Sequence, residues 1–355
     1  MVHDRSDKDL LTASYLYPLP KQLIAHHPAS RRDRSRLLVM RGDGPLEHQL
    51  FSDLPCYLRP GDCLVINDTR VIPARLYGKE TRSGAKVEFL LLAPLGGGRW
   101  RTLVKPGKKA RPGSRIMFDD GKLEALIEAV EADGARIAAF DFQGDFMALL
   151  ERVGEMPLPP YIREKLDDPQ RYQTVYARAP GSAAAPTAGL HFTQDMLEAI
   201  EAMGVSIARL TLHVGVGTFR PVKEAVITDH RMHREPFSLD EGAIARIERT
   251  KSCGGRVIAV GTTSCRVLES AALKAGGKGL QPCSDETDLF IYPGFDFKLV
   301  DGLVTNFHLP GSTLLMLVSA LMGREKILEA YHTAVEHEYR FFSFGDAMLL
   351  LPQRV

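Results

Sequence analysis

From Lys86 to Leu92 the residues Val87, Phe89 and Leu91 alternate with Lys86, Glu88 and Leu90. A period of two marks a strand with one buried face. Shorter runs of the same kind recur at Trp100–Val104, Arg115–Phe118 and Ala135–Phe142, separated by Gly-rich turns. Many short strands so spaced predict a small β-barrel between residues 75 and 155. Upstream, Leu37–Met40 and Cys63–Ile66 are predicted strands among Pro- and Gly-marked turns, and the charged, unpatterned residues 1–14 predict a flexible tail.

Beyond residue 155 the pattern becomes α/β. Thr193 is placed to cap a helix carrying Met196, Leu197, Ile200 and Met203, with Gly204 as its stop. Ser238 and Glu241 have capping-box spacing ahead of Ile244 and Ile247. Arg256–Val260 is a predicted buried strand leading into Gly261-Thr262-Thr263-Ser264 and a further helix, and Ile327, Ala330, Tyr331, Ala334 and Val335 form a helical stripe. The stiff junction Met156-Pro157-Leu158-Pro159-Pro160-Tyr161 ends the barrel segment. The expected architecture is therefore an α/β domain in two stretches, 15–74 and 156–355, with a β-domain, 75–155, inserted between them.

Composition narrows the function. The 355 residues carry a net charge of +1, which argues against a protein that coats DNA. The longest apolar run, Leu314–Met322, is far shorter than the roughly 20 residues a membrane span needs, and Met1–Leu11 has no apolar signal-peptide core. Five cysteines without C-x-x-C spacing fit a reducing cytoplasm better than a disulfide framework or zinc ribbon. Charge is uneven, however. Arg31, Arg32, Arg34, Arg36 and Arg41 cluster, and Arg99–Arg115 holds seven Lys or Arg and no acid, with Trp100 inside it. A one-sign basic run beside an aromatic ring suits RNA, so Arg34, Arg36, Trp100, Lys105, Lys108 and Lys109 are candidate RNA contacts. A solvated charged face is the simpler alternative.

Polar clusters mark the candidate chemistry. If Thr211–Phe219 is a strand, Leu212, Val214 and Val216 share one face, while His213, Gly215 and Gly217 make a shallow floor on the other, followed by Thr218. Glycines accepting a packed helix would read the same way. The uncharged loop Ala183–His191, with Thr187, Gly189 and His191, precedes a helix start whose free N–H groups suit an anion. His230, His233 and Glu235 are close in sequence. Their spacing is not that of H-E-x-x-H, so acid–base or orienting work is expected rather than metal binding. Asn67-Asp68-Thr69-Arg70 and Asn306-Phe307-His308 follow predicted strands, where open α/β sheets present ligand groups. Neither a P-loop nor a G-x-G-x-x-G turn is present.

These clusters carry a resemblance. Arg34-Ser35-Arg36-Leu37-Leu38, Asn67-Asp68-Thr69-Arg70 through Arg75-Leu76, Met156-Pro157-Leu158-Pro159-Pro160-Tyr161-Ile162 and Pro186-Thr187-Ala188-Gly189-Leu190-His191-Phe192 are its first motifs. They continue with Thr211-Leu212-His213-Val214-Gly215, Gly217-Thr218-Phe219, His230 with Met232-His233 and Glu235, Gly261-Thr262-Thr263-Ser264, Thr305-Asn306-Phe307-His308 and Tyr339-Arg340-Phe341-Phe342-Ser343. Together they resemble the S-adenosylmethionine:tRNA ribosyltransferase-isomerases of queuosine biosynthesis, from about residue 17 to about 350. Leu16 stands where that family usually has an acid, and Phe344 where it usually has Tyr.

The resemblance implies a half-barrel, mixed-sheet α/β domain with an inserted six-stranded, Greek-key-like β-barrel. It also implies transfer and isomerisation of the ribosyl group of S-adenosylmethionine onto the aminomethyl arm of a 7-deazaguanine at the tRNA wobble position. The products are epoxyqueuosine-tRNA, adenine and methionine. Partners would be S-adenosylmethionine, consumed as a cosubstrate, and tRNA with a GUN anticodon. No cofactor, metal or obligate protein partner is expected, and the chain would act as a cytoplasmic monomer. His213, His233 and Glu235 are then the catalytic candidates. Asn67, Asp68, Arg70, Arg75, Thr187, Gly189, His191, Gly215, Gly217, Thr218, His230, Thr262, Thr263, Asn306 and His308 are the substrate-binding ones. An RNA methyltransferase would use the same cosubstrate but should show a glycine-rich turn after its first strand. A non-catalytic RNA-binding protein would not need the polar clusters.

Overall fold

The computed structural model describes residues 6–159, 161–162, 166, 168–215 and 222–353. In chain order, β1 (Arg36–Arg41), β2 (Glu47–Leu50), β3 (Cys63–Asn67) and β4 (Thr69–Val71) lead into six barrel strands. These are β5 (Arg75–Glu80), β6 (Lys86–Gly96), β7 (Arg99–Lys105), β8 (Arg115–Phe118), β9 (Leu123–Val130) and β10 (Arg136–Phe142). Helix α1 (Phe146–Val153) follows, then β11 (Ala179–Ser182), α2 (Gln194–Ala202), β12 (Ser206–Leu212), β13 (Glu235–Leu239) and α3 (Glu241–Ser252). The chain continues through β14 (Val257–Val260), α4 (Thr262–Ala275), β15 (Cys283–Thr287), β16 (Gly302–Asn306), α5 (Thr313–Met322), α6 (Arg324–Glu336) and β17 (Ala347–Leu351).

Nine strands form one mixed sheet in the order β15-β13-β12-β3-β14-β16-β17-β1-β2. Its centre, β12-β3-β14-β16, is parallel, so those four strands end on the same edge. Strand alternation builds a core on each face. In β1, Leu38 and Met40 join one core while Leu37 and Val39 join the other; in β3, Val65 and Ile66 divide in the same way. Among the described residues, no helix is long and apolar enough to cross a membrane.

The inserted strands close into an antiparallel barrel in the order β10-β7-β6-β5-β8-β9. Strand β8 returns beside β5 after the β5-β6-β7 meander, which is Greek-key order. The interior contains Phe89, Trp100, Phe118 and Phe140, and α1 adds Leu150 to it. This corrects one expectation. Trp100 is only 7% exposed and packs on Phe146, because in β7 it shares the inward face with Thr102 and Val104. It offers no stacking plane to RNA. Instead the exposed ring on the barrel is Tyr77, 54% accessible, beside Lys79, Lys86 and Lys105 around one surface hollow.

Local expectations fail where a neighbour outcompetes them. Residues 6–14 are not a loose tail: they fold as two 3-10 turns, with Asp9 buried against Arg324 at 2.6 Å and Tyr15 fully buried. Helix α3 is capped by Asp240, which accepts from the Ala243 N–H at 2.7 Å, whereas Ser238 lies inside β13. Met203 ends α2 exposed rather than extending its apolar stripe. The strand expected over Thr211–Phe219 starts at Ser206 and ends at Leu212, where the His213 N–H turns to the Pro236 carbonyl.

Candidate active site

The shared edge of the sheet collects the predicted clusters. His213 follows β12, Asp68 follows β3, Gly261 and Thr262 follow β14, and Phe307-His308 follows β16. Strand β17 runs antiparallel to β16 and β13 antiparallel to β12, so Asp346 and Glu235 come to the same edge from the opposite direction. Carboxyl ends of parallel strands are where open α/β sheets bind ligands, because backbone groups and loops there are free to face solvent.

At this edge Thr187, Val214, Thr262, Thr263, Asn306, His308, Phe342 and Ser343 wall a pocket of about 510 Å³ measured to its open mouth. Thr262 and Thr263 begin α4, whose first N–H groups lack helical acceptors and favour a carboxylate. A buried chain of hydrogen bonds supports the wall. Thr187 Oγ1 donates to Asn306 Oδ1 at 2.9 Å, and Asn306 Nδ2 donates to His191 Nε2 at 3.0 Å. His191 Nδ1 must then carry the proton and donate to Ser35 Oγ, 2.7 Å away. Burial, reinforced by Arg340 and Arg32, pushes His191 down to about 3, so it stays neutral and holds this tautomer. Burial alone does the same to His308, which bonds Thr305 Oγ1 at 2.9 Å.

Two histidines held below their ordinary value bind protons only when the chain unfolds. Stability is therefore full above about pH 6.5 and falls as pH drops toward about 3. Denaturation followed from pH 7 to pH 4.5 should show uptake of up to about two protons attributable to these rings, absent in a His191→Gln, His308→Gln variant. An imidazole NMR titration of either residue with a midpoint near 6.5 would contradict it.

Next to the pocket, the 213–215 segment carries His213 and lies beside His233 and Glu235. His213 Nδ1 bonds Thr69 Oγ1 at 2.8 Å, and its ring lies directly on Gly181, where a Cβ would sit 2.8 Å from it. Burial lowers the His213 pKa and the nearby Asp68 raises it. His233 Nε2 is 3.1 Å from Glu235 Oε1, and its side chain remains 31% exposed. Gly215 leaves the space beside the His233 ring free of a side chain, and its N–H donates to Glu235 at 2.9 Å.

Glu235 is a correction to the catalytic set. It is buried, its second oxygen pairs with buried Arg266, and although burial raises its pKa, Arg266 and His233 outweigh that and hold it near 2. A permanently ionised, fully engaged carboxylate orients His233 and exchanges no proton. Arg266 was not foreseen. The signal was one arginine inside the apolar run Cys265–Leu268.

Other candidates have partners of their own or lie elsewhere. Asn67 makes four hydrogen bonds, to Leu212 N and O, Thr69 N and Thr263 Oγ1, which is the full capacity of an amide. Asp68 is taken by Thr211 Oγ1 at 2.6 Å and by Arg178 at 2.8 Å. Gly189 makes room for the Tyr176 hydroxyl, which a Cβ would meet at 2.1 Å. His230 bonds Glu224 at 3.1 Å and packs edge-on against Phe290. Arg75 bridges to Glu88 at 3.3 Å, and Arg70 lines a separate groove of about 1300 Å³ between α1 and the parallel pair β4–β11. Gly217 and Thr218 lie outside the described residues. Phe344 is buried edge-on against Tyr172, an apolar seat.

The basic candidates divide as well. Arg36 is used internally, bonding Asp346 at 3.2 Å and the carbonyls of His337 and Glu338 while stacking on Tyr339. Arg34, Lys105, Lys108 and Lys109 are exposed. Within the basic run, Arg101 pairs with Glu131 and Asp133, and Arg115 pairs with Glu124, so acids distant in sequence neutralise part of it. Among the described residues, no three His, Cys, Asp or Glu side chains are grouped to hold a metal ion.

Comparison with known proteins adds a family to this geometry. The family described as queuosine biosynthesis protein matches residues 12–350. The S-adenosylmethionine:tRNA ribosyltransferase-isomerase of Acetivibrio thermocellus is 54% identical over 339 residues, spanning 95% of this chain and 99% of that protein. The enzyme of the same name from Symbiobacterium thermophilum is 58% identical over 336 residues, spanning 94% and 98%. The crystal structure of the S-adenosylmethionine tRNA ribosyltransferase from Thermotoga maritima is 39% identical, covers 95% of this chain and 100% of its own, and superposes with a TM-score of 0.55.

Proposed function

The chain belongs to the queuosine biosynthesis protein family, and from that premise we propose how its sheet edge performs S-adenosylmethionine:tRNA ribosyl transfer and isomerisation. The reaction moves the ribosyl group of S-adenosylmethionine to the aminomethyl arm of 7-aminomethyl-7-deazaguanine at the wobble position. It yields epoxyqueuosine-tRNA and releases adenine and methionine. It needs a neutral acceptor amine, a base for the methylene beside the sulfonium and an acid for departing adenine.

The observation that carries the assignment is His233, partly exposed at the sheet edge and oriented by a buried Glu235–Arg266 pair. A fixed carboxylate behind an imidazole selects its tautomer and stabilises the imidazolium that forms when it takes a proton. His233 is accordingly the base. His213, half-buried against Thr69 in the 213–215 segment that runs beside the His233 ring, is the second acid–base candidate. The cosubstrate carboxylate lies against the first turn of α4, and Thr187, Asn306 and His308 fix the nucleoside in the pocket. Proton transfers and leaving-group departure complete the reaction, so it calls for no metal or redox cofactor. The enzyme acts in the cytoplasm, as a monomer without an obligate partner, on tRNAs with a GUN anticodon. Incubation with S-adenosylmethionine and precursor-bearing tRNA should release free adenine. Methylated RNA with S-adenosylhomocysteine would overturn the proposal, as would binding without turnover.

The barrel holds the tRNA away from the reacting base, through Lys105, Lys108 and Lys109, with exposed Tyr77 close to Lys105. Phosphate contacts position RNA and weaken as salt rises. Replacing the three lysines by Ala should raise the tRNA KM and flatten its log–log salt dependence by about 0.7–0.9 per lost contact, with little change in kcat. An unchanged slope would leave the lysines only a solubilising role.

A further inference from the structure

Beside the active pocket, and sharing Ser343 with it, lies a smaller hollow of about 270 Å³. Arg32, Arg171 and Arg340, three arginines far apart in sequence, line it together with His191. Their donors are met by backbone oxygens, which satisfy hydrogen bonds without cancelling charge. Arg32 donates to the carbonyls of Leu190 at 3.0 Å and Gln170 at 2.9 Å. Arg171 donates to those of Ser30 at 3.1 Å and Ala29 at 2.5 Å, and Arg340 to that of His27 at 3.3 Å.

Among the described residues, compensation by acids is thin. Asp346 is 3.8 Å from Arg340 and closer to Arg36, at 3.2 Å. Asp168 acts on Arg32 from a distance and caps the Gln170 N–H. The Nε of Arg171 is buried and has no hydrogen-bond partner among the described residues. Burial first, and then Arg171, lowers the proton affinity of Arg32. Three cations gathered with so little counter-charge repel one another, and an oxyanion among them relieves that repulsion. Guanidinium groups match phosphate oxygens with paired donors, which a lysine cluster does not.

We propose that this hollow seats a phosphodiester of the RNA chain adjoining the modified nucleotide. The inference rests on the tRNA-modifying function proposed above. The common Ser343 wall places the anion next to the pocket assigned to the cosubstrate's nucleoside, where the modified nucleotide must come to accept the ribosyl group and so brings its adjoining phosphodiesters. The grip is then specific to the reaction site, and it is independent of the barrel lysines.

The test uses the full-length protein and an anticodon stem-loop carrying the 7-deazaguanine precursor. Each of the two phosphodiesters flanking the modified nucleotide is replaced in turn by an uncharged methylphosphonate. One of the two replacements should weaken binding to the unaltered protein about tenfold or more, the scale of losing a charged hydrogen bond. Arg171→Gln should weaken the unmodified stem-loop similarly and make that methylphosphonate harmless. Arg171→Lys should restore part of the affinity, since it keeps the charge but loses the fork. Equal binding of all three stem-loops by the unaltered protein would overturn the proposal even if the variants failed to fold. Fully additive losses would overturn it too. A loss of S-adenosylmethionine affinity in Arg171→Gln, with stem-loop binding intact, would assign the hollow to the cosubstrate carboxylate and also overturn it. Adenine release by the unaltered protein tests the underlying function separately.

Discussion

Alanine at position 233 is expected to slow adenine release by about 10²–10⁴ at saturating substrates, while S-adenosylmethionine and tRNA still bind. The loss should appear in kcat because the imidazole acts on a proton in flight rather than on the bound ground state. His233 has the features of a base: one nitrogen is held 3.1 Å from an ionised carboxylate, and the ring is open to the site edge beside Gly215, which has no side chain. His213→Ala should lower kcat in the same range. Single-turnover adenine release decides the matter. Near-normal rates in His233→Ala would return the base to another group, and a rise in KM alone would make His233 a binding residue.

Arg266→Met is expected to destabilise the fold by about 3–5 kcal/mol at neutral pH, because it strands the buried Glu235 carboxylate without its partner. The sign of the pH dependence follows from Glu235, whose folded-state pKa lies near 2 against an ordinary 4.5. The stabilisation is complete above about pH 4.5 and disappears as pH falls toward about 2, so the gap between variant and parent should close over that window. Chemical denaturation at pH 7 and pH 3 measures it, and a gap independent of pH would refute the assignment. A Glu235→Leu, Arg266→Met double variant should recover much of the stability, since well-packed apolar pairs replace buried ion pairs at little cost. It should still turn over slowly, because nothing then orients His233. Recovery of stability without recovery of rate separates the structural role of the pair from its orienting role.

Local pattern was enough for the barrel strands and for the start of α2. The alternation in Lys86–Leu92 and Arg115–Phe118 identified barrel strands, and Thr193 announced the start of α2 with its own side chain. The polar residues of the site were legible for a similar reason. Strand ends leave backbone groups unpaired, and Asp68, His213 and His308 stand just past such ends. The sense of Trp100 was equally local in principle, since its parity with Thr102 and Val104 already turns it inward; composition alone pointed the other way.

What each polar residue does was decided only when distant segments met. Glu235 and Arg266 pair across 31 positions, Ser35, His191 and Asn306 join from three separate regions, and Arg101 is neutralised by Glu131 and Asp133 on the far side of two turns. Strand order in the sheet sets these meetings, and strand order is a property of long-range packing that no window of sequence contains. Burial then sorts the groups: a carboxylate locked to an arginine stays charged, a histidine sealed in a wall stays neutral, and one left at the rim remains available for chemistry. Residue type and position along a strand are written locally, whereas charge state and partnership are set by the low-dielectric surroundings that only the folded chain creates.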